Sequence, residues 1–502
     1  MRIFGPKPIK HATPYWAHPD TPMLQLGSVT LRARHLYEGT FITGGVGSGK
    51  TSSSGKALLR ATIRAGWGAF MAAVKENEGE RLAEEVGREG RDATLITVDE
   101  SCLHRINTLN YELATNAPRG FEHNLVSLIM QMAEDDNVAN NASGGENPFF
   151  QKSAAELLFH SIAIIIAAYG QIDLVSIHRF ISTAPTTRAE ADDPRWQKES
   201  FFSHTMLLAA HKARHEGDAY AQKALEEHGD YWFDVYPKLG DRTRTSVNAT
   251  LTSVIHPLLA GVPRTLLNGQ TNFVPELCRE GAIIILDIPL HKFGRAALMI
   301  QRMLISQFYT AMQRTPITKT TRPCSLYMDE YQALASPTDI QALATARAAR
   351  VAPIFISQDI PTLRSAFASV DEHAADGLLA KAQNKFFHAT TDVETARYAS
   401  ALCGKIERHN HSRSLTKSNV VNNGSTQGED EGSYGGGHGR SLGETESIST
   451  YQDDAVPPET LANELRTGGP KNNYRCDAIV VRSNARFKST GRNYAKVEFS
   501  QK

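Results

Sequence analysis

Two periodicities divide this chain. Gly39-Thr40-Phe41-Ile42-Thr43 is short, apolar and β-branched, which predicts a strand. Ala57-Leu58-Leu59-Arg60-Ala61-Thr62-Ile63 repeats apolar positions at helical spacing. The run from Gly66 to Val74 predicts a second strand, Arg81 to Gly87 a helix, and Ala93 to Val98 a third strand. Strands that alternate with helices predict a parallel, doubly wound sheet. Ahead of them, Leu24 to Ala33 alternates as one strand, behind an arm rich in Pro and His.

From about Asn107 to Leu267 the alternation gives way to helix after helix. Asn124 to Glu134 is amphipathic, Phe149 to Tyr169 is long and apolar behind the helix-start pair Asn147-Pro148, and Thr243 to Leu259 forms a third. Pro185 to Lys198 and His211 to Gly229 are polar and read as surface segments. The sheet resumes at Gly281 to Asp287, a continuous apolar run of the kind a fully buried parallel strand shows. Phe293 to Thr315 and Ile340 to Ala349 are helical. Cys324 to Glu330, Ala352 to Ser357 and Lys385 to Ala389 are strands. From Ser412 to Tyr451 the composition collapses into Gly, Ser, Asn and acidic residues, which predicts a disordered loop. Order returns in Pro457 to Leu465, Ala478 to Val481 and Asn493 to Phe499.

The expected fold is therefore α/β with an inserted all-α domain. Its parts are an N-terminal arm (1–23), a nucleotide-binding domain in two pieces (24–106 and 268–411), the insertion (107–267), the loop (412–451) and a returning C-terminal segment (452–502).

The chemistry enters between the first strand and its helix. Gly44-x-x-x-x-Gly49-Lys50-Thr51 is the full phosphate-loop pattern, in the strand-to-helix setting it needs. Its glycines (Gly44, Gly45, Gly47, Gly49) let the backbone approach a ligand with no Cβ in the way. The amides of Gly44 through Ser52, with Val46 and Ser48 among them, then converge on phosphate oxygens. Lys50 is expected on the β- and γ-phosphates of ATP and Thr51 on Mg²⁺. Such a loop needs an acidic strand end. One candidate strand ends in Asp287, followed by Ile288-Pro289 with no second acid. The other ends in Asp329-Glu330 and is preferred, with Asp329 holding the metal through water and Glu330 polarising the attacking water. An acidic pair that caps the next helix is the alternative.

Gln358 follows Ile354-Phe355-Ile356-Ser357, placed to sense the γ-phosphate or to serve as a plain polar strand end. Arg347, and second Arg350, precede that strand; either reaches a neighbouring subunit's γ-phosphate or is a solvated helix charge. His204, His211 and His215 share a helix face, but no carboxylate or cysteine completes a metal site, so they read as a polar surface. Asp241-Arg242-Thr243-Arg244 reads as a helix-start charge cluster rather than a phosphate contact.

Composition narrows the setting. The 502 residues are 41% hydrophobic and 22% charged, enough to bury real cores, and the formal net charge is zero. Nucleic-acid contact must then come from local patches or an assembled pore. Five dispersed cysteines with no Cys-x-x-Cys pair read as reduced thiols in a cytoplasmic protein. Met1 to Pro6 breaks too early for a signal peptide, and the longest apolar run, Ile162 to Ala168, is too short to span a bilayer.

The order of these parts resembles the coupling-protein ATPases of conjugation and type IV secretion (the TraD/TraG group), within the FtsK/HerA-like ring motors. The likeness rests on Thr43 to Thr51, the α-insertion, Asn147-Pro148-Phe149-Phe150, Asp329-Glu330-Tyr331, and Arg347 before Phe355-Ile356-Ser357-Gln358. It implies a RecA-like P-loop NTPase that assembles as a homo-hexamer and moves DNA with ATP and Mg²⁺. That DNA is expected to be single-stranded, with or without a bound relaxase, and its partners are secretion or relaxosome components. By matching positions it assigns Lys50 and Thr51 to nucleotide, Asp329 and Glu330 to metal and water, Gln358 to sensing and Arg347 to action in trans. Two features depart from the pattern. Members typically begin with a membrane anchor, absent here, so membrane contact is expected through a partner at the inner face of the inner membrane. The Asp-Pro-Lys-like turn reads Ala73-Val74-Lys75-Glu76-Asn77. A soluble HerA-like DNA-processing motor and an ATP-switched adaptor stay open as alternatives.

Overall fold

The computed structural model describes residues 18–115, 122–139, 148–368, 373–421 and 438–502. Most of the expected N-terminal arm, and Asn147, lie outside the described residues. The strands are β1 (Pro22–Leu26), β2 (Val29–Arg32), β3 (Thr40–Thr43), β4 (Gly68–Ala73), β5 (Leu95–Val98), β6 (Ile283–Asp287), β7 (Cys324–Met328), β8 (Val351–Ser357), β9 (Asn384–Phe387), β10 (Lys405–Val421), β11 (His438–Asp454), β12 (Arg475–Arg482) and β13 (Tyr494–Ser500).

A nine-stranded sheet runs β13-β12-β9-β3-β8-β7-β4-β6-β5. From β9 to β5 every neighbouring pair is parallel, whereas β12 pairs antiparallel with β9 and β13 with β12. Every residue of β3, β4, β7 and β8 is buried, which is why these strands read as unbroken apolar runs rather than alternating ones. One face packs on the helices Lys56–Arg64 and Glu78–Arg88, through Leu58, Leu59, Ile63, Leu82 and Val86. The other carries Phe41, Phe70 and Phe355 and the helix Leu290–Arg314, with Phe70 stacked on Phe308 at 4.8 Å.

Among the described residues between Val98 and Ile283 every element is helical. The helix Pro148–Tyr169 is the axis of this block. The helices Glu122–Ala139, Leu174–Ser182, Phe201–His211, Ala219–Asp230 and Asp241–Ile255 pack around it. Side-chain caps at Asp173, Ser200 and Asp218 start three of them. Counting only the uninterrupted run Ile162 to Ala168 underrates this axis: Phe149–Tyr169 is long and apolar enough, by length and composition, to cross a bilayer. Here Ile162, Ile164 and Ile165 are buried in the core that joins the helical block to the sheet. Arg244 is buried at the start of its helix and donates to Leu239 O (3.2 Å) and Thr186 O (3.3 Å), which is the helix-start role.

Two expectations are corrected. The single strand over Leu24–Ala33 is a hairpin, β1 and β2, turning at Gly27 with φ 56°. The polar segment 412–451 is not a loop throughout: residues 412–421 and 438–451 belong to β10 and β11, while 422–437 lie outside the described residues. These strands form an antiparallel ribbon registered from Lys405↔Asp454 to Val421↔His438. Composition weighs only the capacity to bury apolar surface. A two-stranded ribbon satisfies backbone groups across the pair without a core, and cross-strand ion pairs such as Arg408–Asp453 (2.9 Å) add to it.

Candidate functional site

The site forms where the parallel strands end. Chain leaving β3 turns through Gly44–Gly49 and enters a wide first turn, Thr51–Gly55, in which Gly55 N donates to Lys50 O five residues back (3.0 Å); it then continues as the helix Lys56–Arg64. Gly47 (φ 73°) and Gly49 (φ 87°) take the left-handed backbone this turn requires. A Cβ on Gly49 would lie 2.8 Å from Cys476 Sγ, so the position is closed to side chains on steric grounds as well. The loop is tied at both shoulders. Gly44 N donates to Gln358 O (3.1 Å) and Gly45 N to Ala389 O (2.9 Å). Val46 projects from the tip, 87% exposed.

Thr51 and Asp329, 278 residues apart in sequence, meet directly: Thr51 Oγ1 donates to Asp329 Oδ2 at 2.8 Å. Asp329 directly follows β7, two strands from β3 in the sheet. Asp329 Oδ1 accepts from Glu330 N (2.9 Å), and Glu330 sits in left-handed backbone at φ 47°. For a side chain of this kind the left-handed region costs about 1–2 kcal/mol, held here by the surrounding contacts. The Glu330 carboxylate accepts from Gln332 Nε2 (2.5 Å) and Gln358 Nε2 (3.0 Å) and pairs with the Lys75 ammonium. Behind it, Tyr331 stacks on Phe355 at 4.4 Å and donates to Asp339 Oδ2 (2.8 Å).

Burial sets the electrostatics. Lys50 is 7% exposed, and burial lowers its pKa against the opposing pull of Glu330 and Asp329. Burial raises the Asp329 carboxyl in spite of the Thr51 hydroxyl. Burial also acts to raise Glu330, but hydrogen bonds from Lys75, Gln332 and Gln358 outweigh it and hold that carboxyl below its usual range. Two adjacent acids are thus shifted in opposite directions, Asp329 up by burial and Glu330 down by its partners.

Several further residues complete this site. Lys75 lies in the turn after β4, the one that departs from the Asp-Pro-Lys-like pattern but keeps its lysine, with no role assigned to it from the sequence. Glu78 accepts from Val74 N (2.8 Å) and Lys75 N (3.0 Å) and fixes that turn. His388, one residue past β9, lies under the phosphate loop within 2.7 Å of Ser54 Oγ and 3.3 Å of Cys476 Sγ. Burial lowers its pKa to about 4, which keeps the ring neutral beneath Lys50. Cys476 Sγ donates to Ser48 O (3.0 Å), and Gln501 Nε2 donates to Ser52 Oγ (2.7 Å). These two reach the loop from the antiparallel edge of the sheet, over four hundred residues along the chain. All five cysteines are free thiols.

Other expected site residues lie elsewhere. Arg347 is exposed at the end of the helix Pro337–Ala346, ahead of β8. It lies at the end of the sheet opposite Gln358, about 20 Å away by the seven-residue length of β8. Arg350 donates to Thr321 O (3.1 Å) within its own subunit. Asp287 is separate from the acid pair, against Gly79 at the start of the helix Glu78–Arg88. His211 and His215 sit with ring centroids 4.9 Å apart on an exposed helix end.

Glu78 yields a stability prediction. Burial first, then the Asp329 charge, pushes its carboxyl up to about 7. The folded chain therefore holds this proton to higher pH than the unfolded chain, and stability falls as pH rises from the ordinary carboxylate range through 7. Glu78→Gln keeps an acceptor for both amides and removes the titration. It is expected to exceed wild type by up to about 3 kcal/mol at pH 8 and to lie near parity at pH 5. Urea titrations at the two pH values check this.

Comparison with known proteins fits this geometry. The plasmid coupling protein TrwB in complex with ADP and Mg²⁺ shares the fold at TM-score 0.60, with 14% identity over 97% of this chain and 92% of that one. TrwB in complex with the non-hydrolysable ATP analogue ADPNP matches at TM-score 0.58, with the same identity and coverage. The unbound monoclinic form of the conjugative coupling protein TrwBdeltaN70 matches at 0.56, with 14% identity over 97% of this chain and 91% of that one. No curated protein sequence matches. The model of the type IV secretory system conjugative DNA transfer family aligns with residues 99–432, from the end of β5 across the helical block, β6 to β9 and the acid pair. Because that alignment takes in well over half of the chain, the protein belongs to the type IV secretory system conjugative DNA transfer family.

Proposed function

We propose that this protein is a coupling protein that hydrolyses ATP to drive DNA, or a protein–DNA conjugate, toward a type IV secretion channel. The single observation that carries the reading is the 2.8 Å contact of Thr51 with Asp329, beside a Glu330 fixed on three sides. The residues fit a magnesium nucleotide. Ser48 Oγ is buried with no hydrogen-bond partner among the described residues, in a loop whose glycines leave room for phosphate. Thr51 and Asp329 offer hard oxygen ligands of the kind Mg²⁺ takes. The solved TrwB complexes with ADP and Mg²⁺, and with ADPNP, point the same way.

In this reading Gly44 through Ser52 cradle the phosphates and Lys50 neutralises the β- and γ-phosphates. Thr51 and Asp329 hold Mg²⁺, which when bound offsets charge that develops on the phosphate oxygens. Glu330 orients water and takes its proton, and Gln358, on the same carboxylate, couples the water's position to the γ-phosphate. Arg347 lies too far from its own loop to serve it. It acts on a neighbour in a homo-hexameric ring, where an arginine stabilises the transferring phosphoryl group. The substrate is DNA, single-stranded in the pore, delivered with relaxosome partners. The helical block receives it.

Turnover of ATP by the wild-type chain, with and without single-stranded DNA, tests this together with molar mass under the same conditions. DNA-stimulated hydrolysis by a hexamer is expected. One stable nucleotide per monomer, with no DNA response, would favour the switch-like adaptor instead.

A further inference from the structure

We propose that the C-terminal antiparallel edge builds the nucleoside subsite, with Tyr474 as the stacking platform for a purine base. This rests on the reading of Gly44–Ser52 as the triphosphate cradle. The argument is one of direction. The acid pair that marks the γ-phosphate end follows β7, two strands to one side of β3. A phosphate loop holds the β- and γ-phosphates at its Lys-Thr pair, so the α-phosphate and nucleoside must leave toward the other side. On that side stand β9, β12 and β13.

The turn between Arg466 and β12 walls this exit. Thr467 O lies 3.1 Å from where a Cβ on Gly49 would be. The amide of Gln501 spans the gap, with Nε2 donating to Ser52 Oγ (2.7 Å) and Oε1 accepting from Gly469 N (2.7 Å). Gln501 N donates to Tyr474 O (2.9 Å), and Tyr474 N donates to Gly469 O (2.8 Å). Ser52, Gln501, Gly469 and Tyr474 are thus one bonded set that begins at the first helical turn after the loop. Asn473 (φ 52°) and Tyr474 (φ 59°) are consecutive non-glycine residues in left-handed backbone, a costly arrangement that leaves the Tyr474 ring exposed. The Lys502 ammonium stands 4.6 Å from the ring centroid. The cation covers one face of this exposed ring, so a flat base that runs into a phosphate would stack on the other. Because every base has a π-face, such a platform accepts adenine and guanine alike.

Calorimetric binding of ATP and of inorganic tripolyphosphate, both with Mg²⁺, tests this. Tyr474→Ala is expected to weaken ATP about tenfold, the scale of one base–aromatic stack. Tripolyphosphate should bind as in wild type, and Tyr474→Phe should restore ATP. Parallel weakening of both ligands would make Tyr474 a loop support, and unchanged binding of both would place the base elsewhere; either overturns the proposal. Lys50→Ala separates the underlying reading: it should lose both ligands, and tripolyphosphate binding undiminished in that variant would sink the cradle itself.

Discussion

Glu330→Gln is expected to bind ATP as tightly as wild type and to hydrolyse it about 10²–10⁴-fold more slowly, the usual contribution of a positioned general base. The amide preserves the volume and keeps one acceptor for Gln332 and Gln358, so the site should stay assembled. It cannot take a proton from water, and it gives up the ion pair with Lys75. Lys50→Ala is the complementary variant, since it should lose binding and turnover together. Equilibrium binding and single-turnover hydrolysis on the two variants separate these roles. A Glu330→Gln chain that turns over at the wild-type rate would remove Glu330 from the chemistry and return it to the role of a helix-start acid.

The second large effect is on stability. Asp339 is 0% exposed and lies at the centre of a buried polar set. It accepts from Tyr309 (3.0 Å), Tyr331 (2.8 Å) and its own helix start at Ser336 N (3.0 Å), and it faces the Arg302 guanidinium at 3.3 Å. Arg302 is 2% exposed. Asp339→Ala removes the carboxylate that faces that guanidinium at 3.3 Å and strips two tyrosine hydroxyls of their acceptor. Breaking a buried pair in this way costs about 3–5 kcal/mol. Against a typical total of about 5–15 kcal/mol, that loss is severe. Asp234→Ala, which removes an exposed acid 3.8 Å from Lys238, should cost less than about 1 kcal/mol. Urea midpoints of the two variants compare them directly. Tyr331 follows Glu330, so a surviving Asp339→Ala chain should also lose activity through the displaced turn.

What the sequence made legible has a physical pattern. Strands buried on both faces announce themselves as unbroken apolar runs, and β6 to β8 read that way. The phosphate loop is legible because its glycines answer to backbone geometry within a few residues. The pairing of Thr51 with Asp329 was legible only as chemistry, a loop in want of an acid, and the resemblance to ring motors strengthened it. The rest was hidden by distance along the chain. Lys75 pairs with Glu330 across 255 residues, and Gln501 reaches Ser52 across 449. No local periodicity records such contacts. The β10–β11 ribbon was hidden for another reason: its order comes from paired backbone groups, while composition reports only on side chains. The β1–β2 turn was missed because alternation continues through Gly27-Ser28, and only the positive φ of Gly27 breaks the strand.

The most direct test is a structure of the chain with Mg²⁺ and a non-hydrolysable ATP analogue. The triphosphate should lie in Gly44–Ser52 with Thr51 on the metal, Asp329 holding the metal through water, and the Glu330 carboxylate facing the γ-phosphorus. A triphosphate bound away from this loop, or a metal held by neither Thr51 nor Asp329, would contradict the account.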